Sequence, residues 1–218
     1  SPRSFIKTLP MRKRSFFKHL GSNNKALIVV LILCSVVTFG QNHDKVHLID
    51  LDSTWGKEVF PFPIRFAQNI NYEGVEEARF PPEGWSDENH QNFWSYAFAW
   101  DINLNKKITE AELASDIEKY FDGLVGDEFI KGRETYKASA VFIEVEGDEM
   151  YSVFKGKIKT FDRFTTKELI TLYVLVESHY CKKEGRSILL FRFSPKRFTH
   201  EVWKTLENVK LKEGVCDE

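Results

Sequence analysis

Between residues 136 and 193 the apolar side chains recur every second residue, and that period commits this part of the chain to a sheet. Val141, Ile143 and Val145 alternate with polar residues until Gly147-Asp148 turns the chain. Phe154, Ile158 and Thr160 then return on one face, with Lys155, Lys157 and Lys159 on the other. Residues 169–181 and 186–193 repeat the arrangement around Lys182-Lys-Glu-Gly185, so four strands are expected in an antiparallel meander. The lysine row reads as a solvated face that discourages edge pairing; attraction of an anionic ligand is the other use of it.

Upstream the spacing is read as helical. Ser86 followed by Asp87 and Glu88 offers a capping hydroxyl and acids that suit the helix dipole. Phe93, Ala97 and Trp100 share one face of a helix continued to residue 100, and Trp94 and Phe98 the adjoining one. Aromatics at this spacing are more often core than a ligand cage. A second amphipathic helix over 110–122 would bury Leu113, Ile117, Tyr120 and Phe121, with Gly123 at its left-handed terminus and Gly126 and Gly132 continuing a hinge loop. Ser194-Pro195 opens a C-terminal helix carrying Phe198, Val202, Leu206 and Val209 on one face. The fold class expected is α+β: a helix-loop-helix, then a four-stranded antiparallel meander covered by a C-terminal helix. Before these, Pro61 and Pro63 confine 59–66 to an edge strand or an extended connection, Val46, Leu48 and Ile49 form an edge strand or a lead-in, and Glu73-Gly74 reads as a turn between two short extended pieces within 70–80.

The first forty residues hold seven of the 31 basic side chains and none of the 32 acidic ones, and end in an apolar run at 26–39. That run is shorter than the roughly twenty residues of a membrane span, and small residues follow it, so residues 1–40 are expected to be a signal peptide and 41–218 a single domain. A retained anchor is the alternative. Cleavage leaves 24 basic against 32 acidic residues, a net charge of −8, which disfavours nucleic acid as a partner and leaves no membrane span. The expected location is periplasmic or secreted. Two cysteines then remain, Cys181 and Cys216, and in an oxidising compartment they are expected to pair.

Residues 101–112 resemble a single EF-hand calcium loop, with Asp101, Asn103, Asn105, the carbonyl of Lys107, Thr109 and Glu112 at the ligand positions and Ile108 at the aliphatic one. Lys106 stands where the motif has glycine, Lys107 adds a second positive charge, and no second loop pairs with this one. Thr109 to Glu112 is also a capping box, which needs no metal. A second constellation, Glu177, His179 and Cys181, falls on one strand face and offers a histidine-activated thiolate or a small metal site, or simply a polar strand end. Phosphate-loop, HExxH, GxSxG and CxxC motifs are absent. Through Trp94-Ser-Tyr-Ala-Phe-Ala-Trp100, Tyr120-Phe-Asp-Gly-Leu124 and Phe193-Ser-Pro195 the layout resembles uncharacterised exported bacterial proteins, a resemblance that implies no activity. The function expected is that of an exported, non-enzymatic binding or envelope-associated domain whose partner the sequence does not identify. A calcium-stabilised extracellular module and a hydrolase or thiol enzyme are the alternatives.

Overall fold

The computed structural model describes residues 46–216; the expected signal peptide lies outside them. A seven-stranded antiparallel sheet dominates, in the order β2-β3-β4-β8-β7-β6-β5. Its strands are β2 (Gly56–Phe62), β3 (Gly74–Phe80), β4 (Tyr96–Ile102), β5 (Ser139–Gly147), β6 (Tyr151–Phe161), β7 (Leu169–Cys181) and β8 (Arg186–Ser194). Two short strands, β1 (Ile49–Asp50) and β9 (Lys210–Leu211), pair as a separate ribbon, and the helices are α1 (Glu110–Val125), α2 (Asp127–Ile130) and α3 (Val202–Glu207).

This mostly-β architecture overturns the expected helix-loop-helix with a four-stranded meander, because three further strands extend the sheet past β8. The difference centres on residues 86–100, which form a chain of turns and then a strand instead of a helix. Asp87, His90 and Phe93 donate their amides three residues back, to Gly84, Asp87 and His90, in a chain of turns. Trp94 then adopts φ 50°, a left-handed value that ends any helical run, and β4 follows. Tyr96, Phe98 and Trp100 face α1, while Ala97 and Ala99 face the opposite layer, and all five are buried. The expected C-terminal helix is also shortened: Ser194 still belongs to β8, and α3 begins only at Val202. Gly123 lies inside α1 rather than at its end, which is Gly126 at φ 89°. A Cβ on Gly123 would collide with the Phe66 carbonyl, so glycine there serves close approach.

One face of the sheet packs under α1, whose Leu113, Ile117, Tyr120 and Phe121 meet Phe98, Phe191, Phe193 and Phe154. The other face carries β1, β9 and α3, through Ile49, Trp55 and Val209 against Ala97, Ala99 and Leu190, and through Val202, Trp203 and Leu206 against Tyr173 and Leu175. Buried polar groups tie this second layer down. Arg192, 2% exposed, donates through Nε and Nη2 to the Val209 carbonyl (3.1 and 2.7 Å) and through Nη1 to Glu177 (2.7 Å). Glu77 accepts from Arg79 and from the Leu48 amide, each at 2.7 Å. The expected Cys181–Cys216 disulfide is present, with a Cα–Cα distance of 5.2 Å, and Arg186 donates to the Val215 carbonyl at 2.6 Å.

Both sheet edges are blunted. Edge strand β2 contains Pro61, which has no amide to offer a further strand. Edge strand β5 is covered by carboxylates from α1: Asp122 accepts from the Ala138 amide at 2.7 Å, Glu118 from Ala140 at 2.9 Å and Glu110 from Glu144 at 3.4 Å. The match is geometric, since four helical residues advance about 6 Å and two strand residues about 6.8 Å. Glu118→Ala is expected to speed hydrogen exchange at the Ala140 amide and to cost about 1–2 kcal/mol, while Glu118→Gln, which keeps an acceptor, costs less. Unchanged exchange at Ala140 in the alanine variant would contradict this role for the helix.

Candidate functional site

The loop that resembles an EF-hand is preceded by strand β4, not by a helix, and its side chains turn to separate partners. Asp101 forms an ion pair with Arg186 at 2.8 Å, Asn103 reaches Glu73 at 3.3 Å, and Asn105 accepts from the Tyr180 hydroxyl at 2.8 Å. Lys107 turns to Glu144, at 3.5 Å. Thr109 caps α1 and forms the capping box with Glu112, whose carboxylate also takes the Lys106 ammonium. Those contacts hold the Glu112 carboxyl below its ordinary pKa, the Lys106 hydrogen bond most of all. Among the described residues no group of three or more His, Cys, Asp and Glu side chains could hold a metal ion.

Glu177, His179 and Cys181 do share one face of β7, but each is engaged differently. Glu177 pairs with Arg192, His179 packs against the Tyr151 ring with centroids 4.8 Å apart, and Cys181 is in the disulfide. His179 lines a cleft of about 610 Å³ with Tyr151, Cys181 and Cys216. Burial pushes its imidazole pKa down, against the opposing charge of Glu177. While the disulfide is closed the cleft has no thiolate for the histidine to activate.

A smaller pocket, about 320 Å³, is lined by residues from separate segments that share no motif in the sequence. Buried Ala78, Tyr96 and Tyr120 line it from β3, β4 and α1, and partly exposed Phe60, Phe66, Phe80 and Trp85 surround them. The rings interlock: Phe80 stacks on Tyr96 at 5.6 Å and meets Trp85 edge-on at 5.4 Å, and Phe66 meets Tyr120 at 5.1 Å. Phe164, 45% exposed, adds a further ring beside Trp85. Glu58 is the one charged side chain lining it.

Next to Tyr120 lies Glu76, fully buried, accepting from Trp100 Nε1 at 2.6 Å and from the Tyr120 hydroxyl at 2.9 Å. Desolvation pushes its pKa up to about 8 despite both hydrogen bonds, and the charge of Glu58 adds to the rise. At neutral pH the carboxyl is therefore mostly protonated. The indole can only donate, so Oε2 is its acceptor and the acid proton lies on Oε1, which reverses the bond to Tyr120: the protonated carboxyl donates and the hydroxyl oxygen accepts. In the sequence Glu76-Glu77 looks ordinary. The available signal was the alternation of Glu76 and Ala78 with Glu77 and Arg79, which the strand sends to opposite faces.

Compared with known proteins, the chain matches no family model, no curated protein and no solved structure.

Because the folded-state pKa of Glu76 is raised, its favourable contribution is full below the ordinary glutamate value and is lost as pH climbs toward 8. Glu76→Gln keeps an acceptor for Trp100 and a donor for Tyr120 but does not titrate. Between pH 5 and 8, urea unfolding should show wild type losing stability relative to this variant by up to about 1.4 kcal/mol per pH unit. Parallel stability curves would mean that Glu76 ionises in the folded protein as an exposed glutamate does.

Proposed function

We propose that the protein is an exported, non-enzymatic binding domain whose ligand site is the aromatic pocket floored by Ala78, Tyr96 and Tyr120. The observation that carries this reading is the set of large aromatic side chains left partly exposed around a concave surface. Such rings gain free energy when covered, and a mostly apolar cleft with a few polar groups is the usual form of a small-ligand site. Its lining offers rings, two tyrosines and one carboxylate rather than a nucleophile beside a base, which supports binding over catalysis.

Export is supported by the Cys181–Cys216 bond, which fits an oxidising, extracytoplasmic environment, and by the basic-then-apolar start of the sequence. No helix among the described residues is long and apolar enough to cross a membrane.

Saturation-transfer NMR with the neutral aromatic probe indole tests the site. Indole should bind wild type and bind Trp85→Ala at least about fivefold more weakly, since the variant loses roughly 1 kcal/mol or more of ring contact. No binding, or binding indifferent to Trp85→Ala, would overturn the pocket as the site. For export, protein recovered from its host without reductant and then denatured should titrate no free thiol, and its N-terminus should lie near Gln41. Two free thiols or an intact N-terminus would contradict export with cleavage. Opening the disulfide closes off less of the unfolded ensemble, so Cys216→Ser should cost roughly 3 to 4 kcal/mol in the loop-entropy model for a separation of 35 residues.

A further inference from the structure

We propose that the ligand of the aromatic pocket is a small organic cation, a quaternary or protonated amine; this rests on the pocket being the binding site. The carboxylate of Glu58 sets the sign. Glu58 stands on edge strand β2, on the face that also carries Phe60, directly opposite Ala78 of the pocket floor in the β2–β3 register. It makes no ion pair and no side-chain hydrogen bond among the described residues. Its basic neighbour, Lys57, points the other way and donates to the Val46 carbonyl. No lysine, arginine or histidine lines the pocket to neutralise it.

The walls favour the same charge. The partly exposed rings of Phe60, Phe80 and Trp85 carry the negative side of the aromatic quadrupole on their faces, and a cation held over such a face is attracted most strongly where water is excluded. Glu76 sits opposite Phe60 on β3, so Glu58 and Glu76 occupy the same sheet face one diagonal step apart, with the second carboxyl behind the tyrosine floor. An anion would meet an uncompensated carboxylate and ring faces of the same sign. A neutral guest of the same shape would gain the apolar contacts but leave Glu58 without a partner. At about 320 Å³ the cavity lies at the small end of the range for ligand pockets, which suits a compact head group rather than a long chain.

The choice is tested by calorimetric titration of the whole protein, at low salt, with choline and with its neutral isostere 3,3-dimethylbutan-1-ol. These probes share shape and hydroxyl and differ in the positive charge. Choline is expected to bind at least about tenfold more tightly, combining ring-face and carboxylate attraction. Glu58→Gln, an isosteric change at an exposed strand position, should remove most of that preference while leaving the neutral probe unaffected. Equal affinity for the two probes overturns the proposal and leaves the pocket reading standing; a preference for choline that survives Glu58→Gln overturns Glu58 as the group that sets the sign. Binding of neither probe while indole still binds also overturns it, and failure of indole as well removes the pocket itself.

Discussion

The pairing of β4 with β8 holds the molecule together. Every residue from Tyr96 to Ile102 has a partner in β8, from Phe193 back to Ser187, and among the described residues this is the one ladder of the seven-stranded sheet that joins β2–β4 to β5–β8, the two-residue β1–β9 ribbon being the other link across α1. It closes a loop of most of a hundred residues, so its entropic cost must be met by what the two strands bury. They bury a great deal. Phe98 lies 4.6 Å from Phe191, Trp100 4.8 Å from the same ring and Tyr96 5.0 Å from Phe193, all beneath α1. Ala97 and Ala99 on the reverse are small enough to admit Ile49, Trp55 and Val209. The large-small alternation of one strand therefore fixes both layers.

Where the two layers meet the sheet, polar groups are buried on both sides and used differently. On the reverse, Arg192 and the Glu77–Arg79 pair address backbone groups of the terminal segments, the Val209 carbonyl and the Leu48 amide, that would otherwise be left without partners. Their worth lies less in net stability, since burying paired charges roughly cancels desolvation, than in specifying where those segments lie. On the front, Glu76 has only neutral partners, Trp100 and Tyr120, and it meets burial by keeping its proton. One sheet thus holds an ionic solution and a protonated one on opposite faces of adjacent positions in β3.

This explains what the sequence made legible. Helix α1 was readable because its period and its Thr109–Glu112 capping box agree, and the turns at Gly147-Asp148 and Lys182 to Gly185 because the flanking strands alternate polar with apolar residues. Strand β4 was not, because both its faces are buried and no polar residue marks every second position. Its aromatics also satisfy a helical spacing by coincidence, while their enrichment, the better arbiter, was given less weight. Strand β3 is legible only as a short extended piece after the Glu73-Gly74 turn, because three of its seven residues are charged and only tertiary partners make those charges tolerable inside. The pocket was hidden for the same reason: Glu58, Trp85, Tyr96 and Tyr120 come from four separate segments and have no spacing in common. The Cys181–Cys216 pair needed only a count and a compartment.

Helix α1 then couples the sheet's open edge to the pocket. Glu110, Glu118 and Asp122 form one stripe four and eight residues apart, turned to the amides of β5, while Leu113, Ile117, Tyr120 and Phe121 form the stripe turned to the core. The carboxylate stripe sets the helix's height along β5, and so sets where Tyr120 stands over Phe98 and Glu76. Gly123, one turn further on, lets the helix touch the Phe66 carbonyl and thereby places the Phe66 ring against Tyr120 at the pocket rim. The floor and one wall of the pocket are consequently positioned by contacts made outside it. A cleft lined by rings whose backbones are held in this way loses little conformational freedom on accepting a guest, which is the condition under which a small ligand binds well despite its few contacts.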